Sequence, residues 1–325
     1  MRRRQFLGLI CGAAATWPIL ARAQQAMPVI GVISAGERAG YADLLAATRS
    51  GLKELGFIEG KNFEFEYAFA AGRFDELPRL ARDLVRRPVA VIISTGVGSG
   101  AAAHGATSTI PHVFLSQDDP VRLGWVASLN KPGGNATGIS LLTSELAAKR
   151  VEVARQLMPK GSPLAYLMNP LAPEAPRYLQ DIEAIAGGLK QELVIVKAGT
   201  PEEINAALAE VSRRQAGALI VSTDGYLFSR RDQIIALVAR NRVPAIYDRR
   251  PYATAGGLLS YGEDLSSAWR QIGVYAARIL KGEKPADLPV QQSTKVELIV
   301  NLKTARALGL DIPPTLLARA DEAIE

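Results

Sequence analysis

The chain has almost no residues suited to thiol, imidazole or metal chemistry. Its 325 residues include one cysteine, Cys11, and two histidines, His104 and His112. Cys11 lies in a segment that we expect to be removed, so the mature chain would have neither a disulfide nor a thiol nucleophile. Neither histidine has a metal-ligand partner at short spacing. No nucleophile elbow, P-loop or dinucleotide fingerprint occurs, so we expect no metal and no cofactor.

A large excess of charge of one sign is also absent from most of the chain. The net charge is +6, from 38 basic and 32 acidic residues. The first 23 residues hold four of the basic residues and no acid, so the rest carries 34 basic and 32 acidic residues. A nearly balanced surface of this kind does not indicate a nucleic-acid partner.

The N-terminus has the pattern of a signal peptide over residues 1–23. Arg2, Arg3 and Arg4 precede an apolar stretch from Phe6 to Leu20, and Ala21-Arg22-Ala23 fits a cleavage site. The sequence from Arg3 to Gly8 resembles a twin-arginine export motif. The apolar stretch is too short, and too interrupted by glycine and proline, to favour a membrane anchor.

The stretch Val89–Ala103 organises the rest of the chain. An unbroken apolar run, as in a strand buried on both faces, ends at Ser94-Thr95-Gly96, and a helix of small residues begins near Gly98 or Ser99. The unpaired N–H groups of that helix start and the hydroxyl groups beside it suit a carboxylate ligand. The alternative is an ordinary strand-to-helix turn without a ligand.

Strands and helices alternate along the chain in two series. Buried strands are predicted at 27–34, 89–93 and 112–115 in the first series, and at 164–168, 218–221 and 245–247 in the second. Amphipathic helices separate them, which predicts an α/β fold of two doubly wound parallel-sheet lobes joined by several crossings. We interpret 130–140 and 256–262 as crossings. The expected lobes are 28–138 with 262–290, and 139–261 with 291–325.

Polar clusters follow the predicted strands in both series. In open α/β sheets ligands bind at the carboxyl ends of strands, so two facing lobes would form a cleft for a small polar or amphipathic molecule. Asp118 and Asp119 would be a catalytic carboxylate pair, a capped turn, or acceptors for an ammonium group, and we favour the last. Pro120 holds Asp119 in an extended conformation. Arg249 offers a planar fork for a ligand carboxylate.

Long segments of the chain resemble ABC-transporter substrate-binding proteins of the tryptophan and tyrosine type. They are VIGVIS, ISTGVGS, SQDDPVRLGWVASLNKPGGNATGIS, ELAAKR, LMNP, FSRRDQI, AIYDRRPYATAGGLLSYG and RILKGEKPADLPVQQSTKVELIVNLKTARALGL. The resemblance implies a periplasmic type I binding-protein fold, a ligand in the cleft and no catalysis. The ligand residues that it implies are Ser34, Thr95, Gly96, Ser99, Asp118, Asp119, Asn169, Asp224, Tyr226 and Tyr247.

The expected function is therefore capture of a small molecule in the periplasm and its delivery to a membrane permease by a monomeric protein. The ligand would be an amino acid, aromatic ones included, or an aromatic carboxylate. Tyr226, Tyr247 or Tyr261 would stack on an aromatic ligand. Relatives often have a second glycine where this chain has Val97, which leaves the ligand open. Two alternatives are a periplasmic sensor that signals to a receptor and an exported α/β hydrolase that uses Asp118 and Asp119.

Overall fold

Two β-sheets, each covered by helices, form the computed structural model of the protein. The structure describes residues 27–141 and 143–325, without the side chains of 143–145. The predicted signal peptide at 1–23, with its twin-arginine-like motif, lies outside the described residues.

Thirteen strands are described, and they follow the predicted alternation with helices. They are β1 Val29–Ser34, β2 Glu64–Phe69, β3 Val89–Thr95, β4 His112–Ser116, β5 Ala136–Ser140, β6 Leu164–Met168, β7 Leu193–Lys197, β8 Ala218–Val221, β9 Ala245–Tyr247, β10 Leu259–Glu263, β11 Gln291–Gln292, β12 Val296–Asn301 and β13 Glu322–Ile324.

Twelve α-helices are described between and after these strands. They are α1 Ala42–Glu54, α2 Leu77–Val85, α3 Val97–Ala106, α4 Thr143–Leu157, α5 Ala175–Gly188, α6 Pro201–Arg213, α7 Gly225–Ser229, α8 Arg231–Asn241, α9 Arg250–Thr254, α10 Leu265–Leu280, α11 Leu302–Leu308 and α12 Pro314–Leu317.

The first lobe is built on a six-stranded parallel sheet with the order β11-β5-β4-β3-β1-β2. Its central strand β3 is buried almost throughout, as its unbroken apolar run predicts. The register pairs Thr95 with Ser34 on one side and with Leu115 on the other. The polar residues that end these strands therefore meet at one edge of the sheet.

The second lobe is built on a seven-stranded sheet with the order β13-β12-β10-β9-β8-β6-β7. The prediction of two doubly wound α/β lobes is confirmed. One difference is that β12 runs antiparallel to β10. Between β10 and β12 the chain passes through the first lobe, by way of α10 and β11, so no helix crossover within the second sheet joins these two neighbours.

The chain passes between the two sheets three times: after β5, after β10 and between β11 and β12. Two predicted crossings are wrong in detail, because 130–140 contains β5 of the first sheet and 256–262 contains most of β10 of the second. Both segments are rich in glycine, a composition that predicts a connection rather than a strand. Residues 291–292 belong to the first sheet, a shift of two residues from the expected lobe ranges.

Helix α10 follows the second crossing and packs on the first lobe against α1. Two glycines allow the backbones to touch. A Cβ atom on Gly51 would lie 1.9 Å from the carbonyl oxygen of Arg270, and one on Gly273 would lie 2.1 Å from that of Thr48. This close packing fixes the buried side chain of Trp269 at the inner end of α10, next to the gap between the lobes.

Candidate functional site

A small cavity lies between the carboxyl ends of the two sheets. Its free volume is about 20 Å³, which is room for little more than one water molecule while the lobes are closed. Both lobes contribute to its wall. The lining residues are Ala35, Tyr41, Phe74, Thr95, Gly96, Gly98, Ser99, Leu115, Gln117, Glu174, Asp224, Gly225, Arg249 and Trp269.

The first-lobe wall is the turn from β3 into α3, together with Gln117 after β4. Gly96 makes the turn with φ +91°, a left-handed conformation that favours glycine. The helix start leaves the N–H groups of its first turn without intrahelical acceptors. Thr95 Oγ1, Ser99 Oγ and Gln117 Oε1 are buried and have no hydrogen-bond partner among the residues that the structure describes. This wall therefore offers neutral polar groups and a helix N-terminus.

The second-lobe wall carries two carboxylates, Asp224 and Glu174. Asp224 caps the short helix α7, where its Oδ1 accepts a hydrogen bond of 2.7 Å from the N–H of Leu227. Asp224 Oδ2 and Glu174 Oε2 are buried without a partner in the described part of the chain. Burial raises the pKa of Asp224 to about 6. Burial and the neighbouring Asp224 raise the pKa of Glu174 to about 7.

Arg249 also lines the cavity, but a carboxylate of its own lobe already binds its guanidinium. Its Nε lies 2.8 Å and its Nη2 2.5 Å from Asp248 Oδ2. The guanidinium carbon lies 4.6 Å above the centre of the Phe228 ring. The positive charge is therefore largely balanced before any ligand arrives, and the wall keeps an excess of negative charge from Asp224 and Glu174.

The apolar part of the lining is aromatic and comes from three separate elements. Tyr41 ends the 3₁₀ turn before α1, Phe74 begins the turn before α2, and Trp269 lies in α10. Tyr41 and Trp269 have ring centres 5.6 Å apart. The indole N–H of Trp269 is buried without an acceptor in the described ranges. The cavity thus combines aromatic faces with polar groups at its two ends.

Direct contacts join the lobes around the cavity. The hydroxyl of Tyr41 donates to the carbonyl oxygen of Gly225 at 3.2 Å, and Arg231 Nη1 donates to that of Gly40 at 2.8 Å. Arg230 Nη2 lies 2.6 Å from Glu37 Oε1. At the other side of the cavity, Arg177 of α5 forms an ion pair with Asp118 of the first lobe. The structure therefore shows the two lobes closed on each other.

Comparison with known proteins identifies the family. A family model described as "ABC transporter substrate binding protein" matches residues 30–324, nearly the whole described chain. The chain belongs to the family of ABC transporter substrate-binding proteins. The resemblance inferred from the sequence is thereby confirmed.

Relatives of this substrate-binding protein are known by sequence and by structure. A "Tyrosine-binding protein" of Clostridioides difficile is 26% identical over 259 residues, which cover 80% of this chain and 74% of that protein. A conserved domain protein from Vibrio cholerae matches with a TM-score of 0.81 and 27% identity, and the match covers 91% of this chain and 99% of that one. The ABC domain in complex with L-Trp from Streptococcus pneumonia matches with a TM-score of 0.79 and 22% identity. This match also covers 91% of this chain and 99% of that one.

The structure brings several of the predicted ligand residues of this substrate-binding protein together at the cavity. Those in the lining are Thr95, Gly96, Ser99, Asp224 and Arg249. Ser34 and Asn169 lie behind it. Ser34 Oγ accepts from the N–H of Gly36 at 3.3 Å, and Asn169 Nδ2 lies 3.4 Å from Asp224 Oδ1.

The three tyrosines predicted to stack on a ligand lie outside the lining. The Tyr226 ring packs against Gly72, where a Cβ atom would be 2.7 Å from it. Tyr247 is buried in the core and stacks on Tyr252, with ring centres 4.4 Å apart. Tyr261 packs on the second-lobe core. Tyr226 follows β8 and Tyr247 ends β9 as predicted, whereas Tyr261 lies in the middle of β10. The three side chains point to the core or the rim instead of to the cavity.

The paired carboxylates Asp118 and Asp119 also lie outside the lining. Asp118 is buried and forms ion pairs with Arg122 and Arg177, which hold its pKa below the ordinary value despite its burial. Asp119 is exposed, and its Oδ1 accepts from the N–H of Val121 at 2.9 Å. The pair is therefore a capped turn and an interlobe contact. This is the arrangement of neither an ammonium site nor a catalytic pair.

Nine lining residues were not predicted as ligand residues from the sequence, and the aromatic or charged ones among them are Tyr41, Phe74, Glu174 and Trp269. Tyr41 and Phe74 begin helical segments and look like helix-packing residues. Trp269 looks the same within the amphipathic α10. Of these residues, Glu174 is the one that the sequence could have indicated as a site residue. It is an acidic residue between Pro173 and Ala175 in an otherwise apolar loop after β6, and such a residue needs a polar partner when it is buried.

The described residues offer neither a cluster of metal ligands nor a membrane-spanning helix. Within 27–141 and 143–325, no set of three or more histidine, cysteine, aspartate or glutamate side chains is arranged to hold a metal ion. Across the same ranges, no helix has both the length and the apolar character needed to cross a membrane.

Proposed function

We propose that this substrate-binding protein captures an amino acid with an aromatic side chain in the interlobe cavity. In this proposal the protein is exported to the periplasm, acts as a monomer, and passes the unchanged ligand to a membrane permease. The observation that supports this proposal most strongly is a set of buried polar atoms in one cavity. These atoms have no hydrogen-bond partner in the described part of the protein. They are Thr95 Oγ1, Ser99 Oγ, Gln117 Oε1, Glu174 Oε2, Asp224 Oδ2 and Trp269 Nε1.

These atoms are costly to bury unless a ligand supplies their hydrogen bonds. A buried polar group without a partner destabilises a protein by roughly 1–3 kcal/mol, and more if it is charged. Structures usually satisfy such groups, so their concentration in the lining of one cavity supports a polar ligand there. The aromatic faces of Tyr41, Phe74 and Trp269 support an aromatic group on the same ligand.

The proposed amine contact is with Asp224 and Glu174. Both carboxylates have a free buried oxygen, and Arg249 is already paired with Asp248. A primary ammonium group offers three N–H donors and a positive charge that would balance the charge of this wall. A ligand that has an amine is therefore favoured over an aromatic carboxylate that lacks one.

The proposed carboxylate contact is with the first lobe. The hydroxyls of Thr95 and Ser99 and the N–H groups that begin α3 are donors at one end of the cavity. A helix N-terminus also carries a partial positive charge that favours an anion. The two ends of a zwitterionic amino acid would then contact different lobes.

This division of contacts explains how the ligand would drive closure. A ligand held by one lobe in an open protein gains the contacts of the other lobe only when the cleft closes. The closed state is stabilised by that difference in binding free energy. The interlobe contacts Tyr41–Gly225 and Arg231–Gly40 would form in the same movement.

Titration calorimetry on the mature chain, residues 24–325, tests the ligand proposal. We expect L-tryptophan, L-tyrosine or L-phenylalanine to bind with a Kd in the micromolar range or tighter, and indole-3-acetate and L-aspartate to bind at least 100-fold more weakly. The names of the tyrosine-binding relative and of the L-Trp complex support this choice of probes. Equal binding of indole-3-acetate and L-tryptophan would contradict the amine contact.

Export and delivery need tests of their own. Fractionation of cells that express the full chain should place the protein in the periplasm, and replacement of Arg3 and Arg4 by lysine tests the twin-arginine route. Uptake of the radiolabelled ligand should require both this protein and a permease. Normal uptake after deletion of the protein, in a strain without a second binding protein, would contradict delivery.

A further inference from the structure

A second polar cavity lies inside the second lobe, between α4, α5 and the carboxyl ends of β6 and β8. We name it the α4–α5 cavity, and its free volume is about 20 Å³, room for one small ion or water molecule. Its lining includes Arg150, Tyr166, Tyr178, Asp181 and Thr223. None of these residues lines the interlobe cavity. Its polar groups therefore require an explanation that is separate from the proposed amino-acid ligand.

The central feature is a buried guanidinium. Arg150 is 3% exposed, and its Nε donates to the carbonyl oxygen of Tyr261 at 3.0 Å. Its Nη2 is buried and has no hydrogen-bond partner in the described ranges. An arginine that is removed from water in this way strongly favours an anionic acceptor at the free side of its planar fork.

Two hydroxyl groups supply further donors to the same cavity. Tyr178 and Thr223 are 7% and 6% exposed, and the structure gives neither hydroxyl a partner within the described residues. Each hydroxyl can donate one hydrogen bond. A guanidinium and two hydroxyls on three different elements thus form a set of buried donors for one acceptor.

We propose that the α4–α5 cavity binds a small monovalent anion, either a halide or a short carboxylate, between Arg150, Tyr178 and Thr223. The volume suits an ion of this size. Asp181 lies in the lining as well and is 3.5 Å from Arg177 in an ion pair. Its negative charge disfavours a divalent anion such as sulfate, because like charges repel at short range.

The anion would connect the second lobe to the interlobe cavity. Arg150 holds β10 through Tyr261, and Thr223 directly precedes Asp224, which lines the interlobe cavity. An anion bound to both residues joins α4, β10 and the loop that carries Asp224. Occupation is therefore expected to stabilise the ligand-free protein.

Crystals grown with sodium bromide provide the direct test. We expect an anomalous peak within hydrogen-bonding reach of Arg150 Nη2 and the hydroxyl of Thr223. Crystals grown with sodium acetate and no halide should show planar carboxylate density at the same place, which would separate the two classes of anion. Ordered water molecules alone, in both crystals, would overturn the proposal.

Thermal unfolding without amino acid gives a second test. At constant ionic strength, replacement of gluconate by chloride or acetate should raise the Tm of the wild type saturably, by roughly 2–4 °C at about ten times Kd. The response should vanish in Arg150→Met and shrink in Thr223→Val, and it should persist in Arg155→Met, which changes an exposed arginine of the same helix.

The conservative variant Tyr178→Phe covers the case in which Arg150→Met does not fold. An equal anion response in wild type, Thr223→Val and Tyr178→Phe would overturn the proposal. These measurements contain no amino acid, so their outcome is independent of the function proposed for the interlobe cavity.

Discussion

The two walls of the interlobe cavity differ in the kind of polar group that they present. The first-lobe wall has hydroxyls, an amide and the start of a ten-residue helix, α3. The second-lobe wall has two carboxylates and an arginine that Asp248 already balances. The first wall is neutral with a partial positive charge at the helix start, whereas the second is negative.

This difference suggests that each lobe recognises one end of a zwitterion. Neutral donors at a helix N-terminus suit a carboxylate, and buried carboxylates suit an ammonium group. Variants of the two walls should therefore differ in which ligand they discriminate against. The predictions below use this contrast, and the last one tests the rim around both walls.

The largest effect is expected for Asp224→Asn. Loss of one partner of a buried charge pair costs about 2–5 kcal/mol, so affinity for L-tryptophan should fall about 30- to 5,000-fold at pH 7.5. Asparagine is as good an N-cap as aspartate, so α7 should keep its start. Titration calorimetry gives the affinity, and circular dichroism gives the fold.

Asp119→Asn is the matched control. Its carboxylate is exposed and caps its own turn through Val121, a contact that asparagine can also make. We expect a change of less than about twofold, as for an ordinary surface substitution. Equal losses in Asp224→Asn and Asp119→Asn would contradict the placement of the ammonium group at the second-lobe wall.

A strong pH dependence is the second expected effect. Burial raises the pKa of Glu174 to about 7 and that of Asp224 to about 6, and an ammonium ligand requires both groups ionised. The amine of L-tryptophan stays charged in this range. Affinity should therefore fall roughly tenfold per pH unit between about 7 and 6 and approach a roughly 100-fold fall per unit below 6, and Glu174→Gln should flatten the profile between 6 and 7.5.

The same carboxylates have the opposite effect on the stability of the ligand-free protein. Their pKa values in the folded chain lie above the ordinary values of 4.5 and 3.8, so the folded protein keeps protons that the unfolded chain has lost. The contribution of these two groups to the unfolding free energy should fall as the pH rises from about 4 to 7. Burial lowers the pKa of His112 to about 3, and this acts in the opposite direction. Urea unfolding of the wild type and of Glu174→Gln at several pH values isolates the carboxylate contribution, and a difference between them that does not change with pH would contradict it.

Strand ends were the part of the site that could be predicted from the sequence. Thr95, Gly96 and Ser99 lie at the end of an unbroken apolar strand and in the turn after it. A turn that follows a parallel strand lies at the carboxyl edge of the sheet. Asp224 and Arg249 follow strands of the second series in the same way. The fold and the cavity residues at the strand ends could therefore be predicted from local patterns in the sequence.

The direction of individual side chains could not be predicted. Tyr247 ends β9 but turns into the core, where it stacks on Tyr252 five residues later. Trp269 reaches the cavity because α10 belongs to the opposite lobe from the strand that precedes it. The direction of these side chains depends on packing between segments that are distant in sequence. A local pattern of apolar and polar residues does not reveal that packing.

A smaller effect is expected for Thr95→Val and Ser99→Ala on the first-lobe wall. A hydrogen bond to a charged group is worth about 1.5–3 kcal/mol, so each variant should weaken L-tryptophan binding about 10- to 150-fold. Tryptamine, which lacks the carboxylate, should bind the variants and the wild type equally. Asp224→Asn should instead weaken the binding of both ligands.

The matched control for Ser99→Ala is Ser108→Ala, because Ser108 is exposed just after α3. A loss of tryptamine binding in Thr95→Val as large as the loss of L-tryptophan binding would mean that this wall does not contact the carboxylate. The two walls would then still differ in the ligand-free protein, but this difference would not correspond to recognition of the two charged groups of the ligand.

The smallest effect is expected at the rim, for Glu37→Gln. Glu37 and Arg230 join the lobes at 2.6 Å, but both side chains are about 30% exposed. Exposed ion pairs are worth about 0.2–1 kcal/mol, so affinity should fall by at most about fivefold. The loss should appear as faster ligand release and should shrink in 0.5 M salt, which screens exposed charges. A loss as large as that of Asp224→Asn, unaffected by salt, would mean that closure at the rim and not recognition at the walls controls affinity.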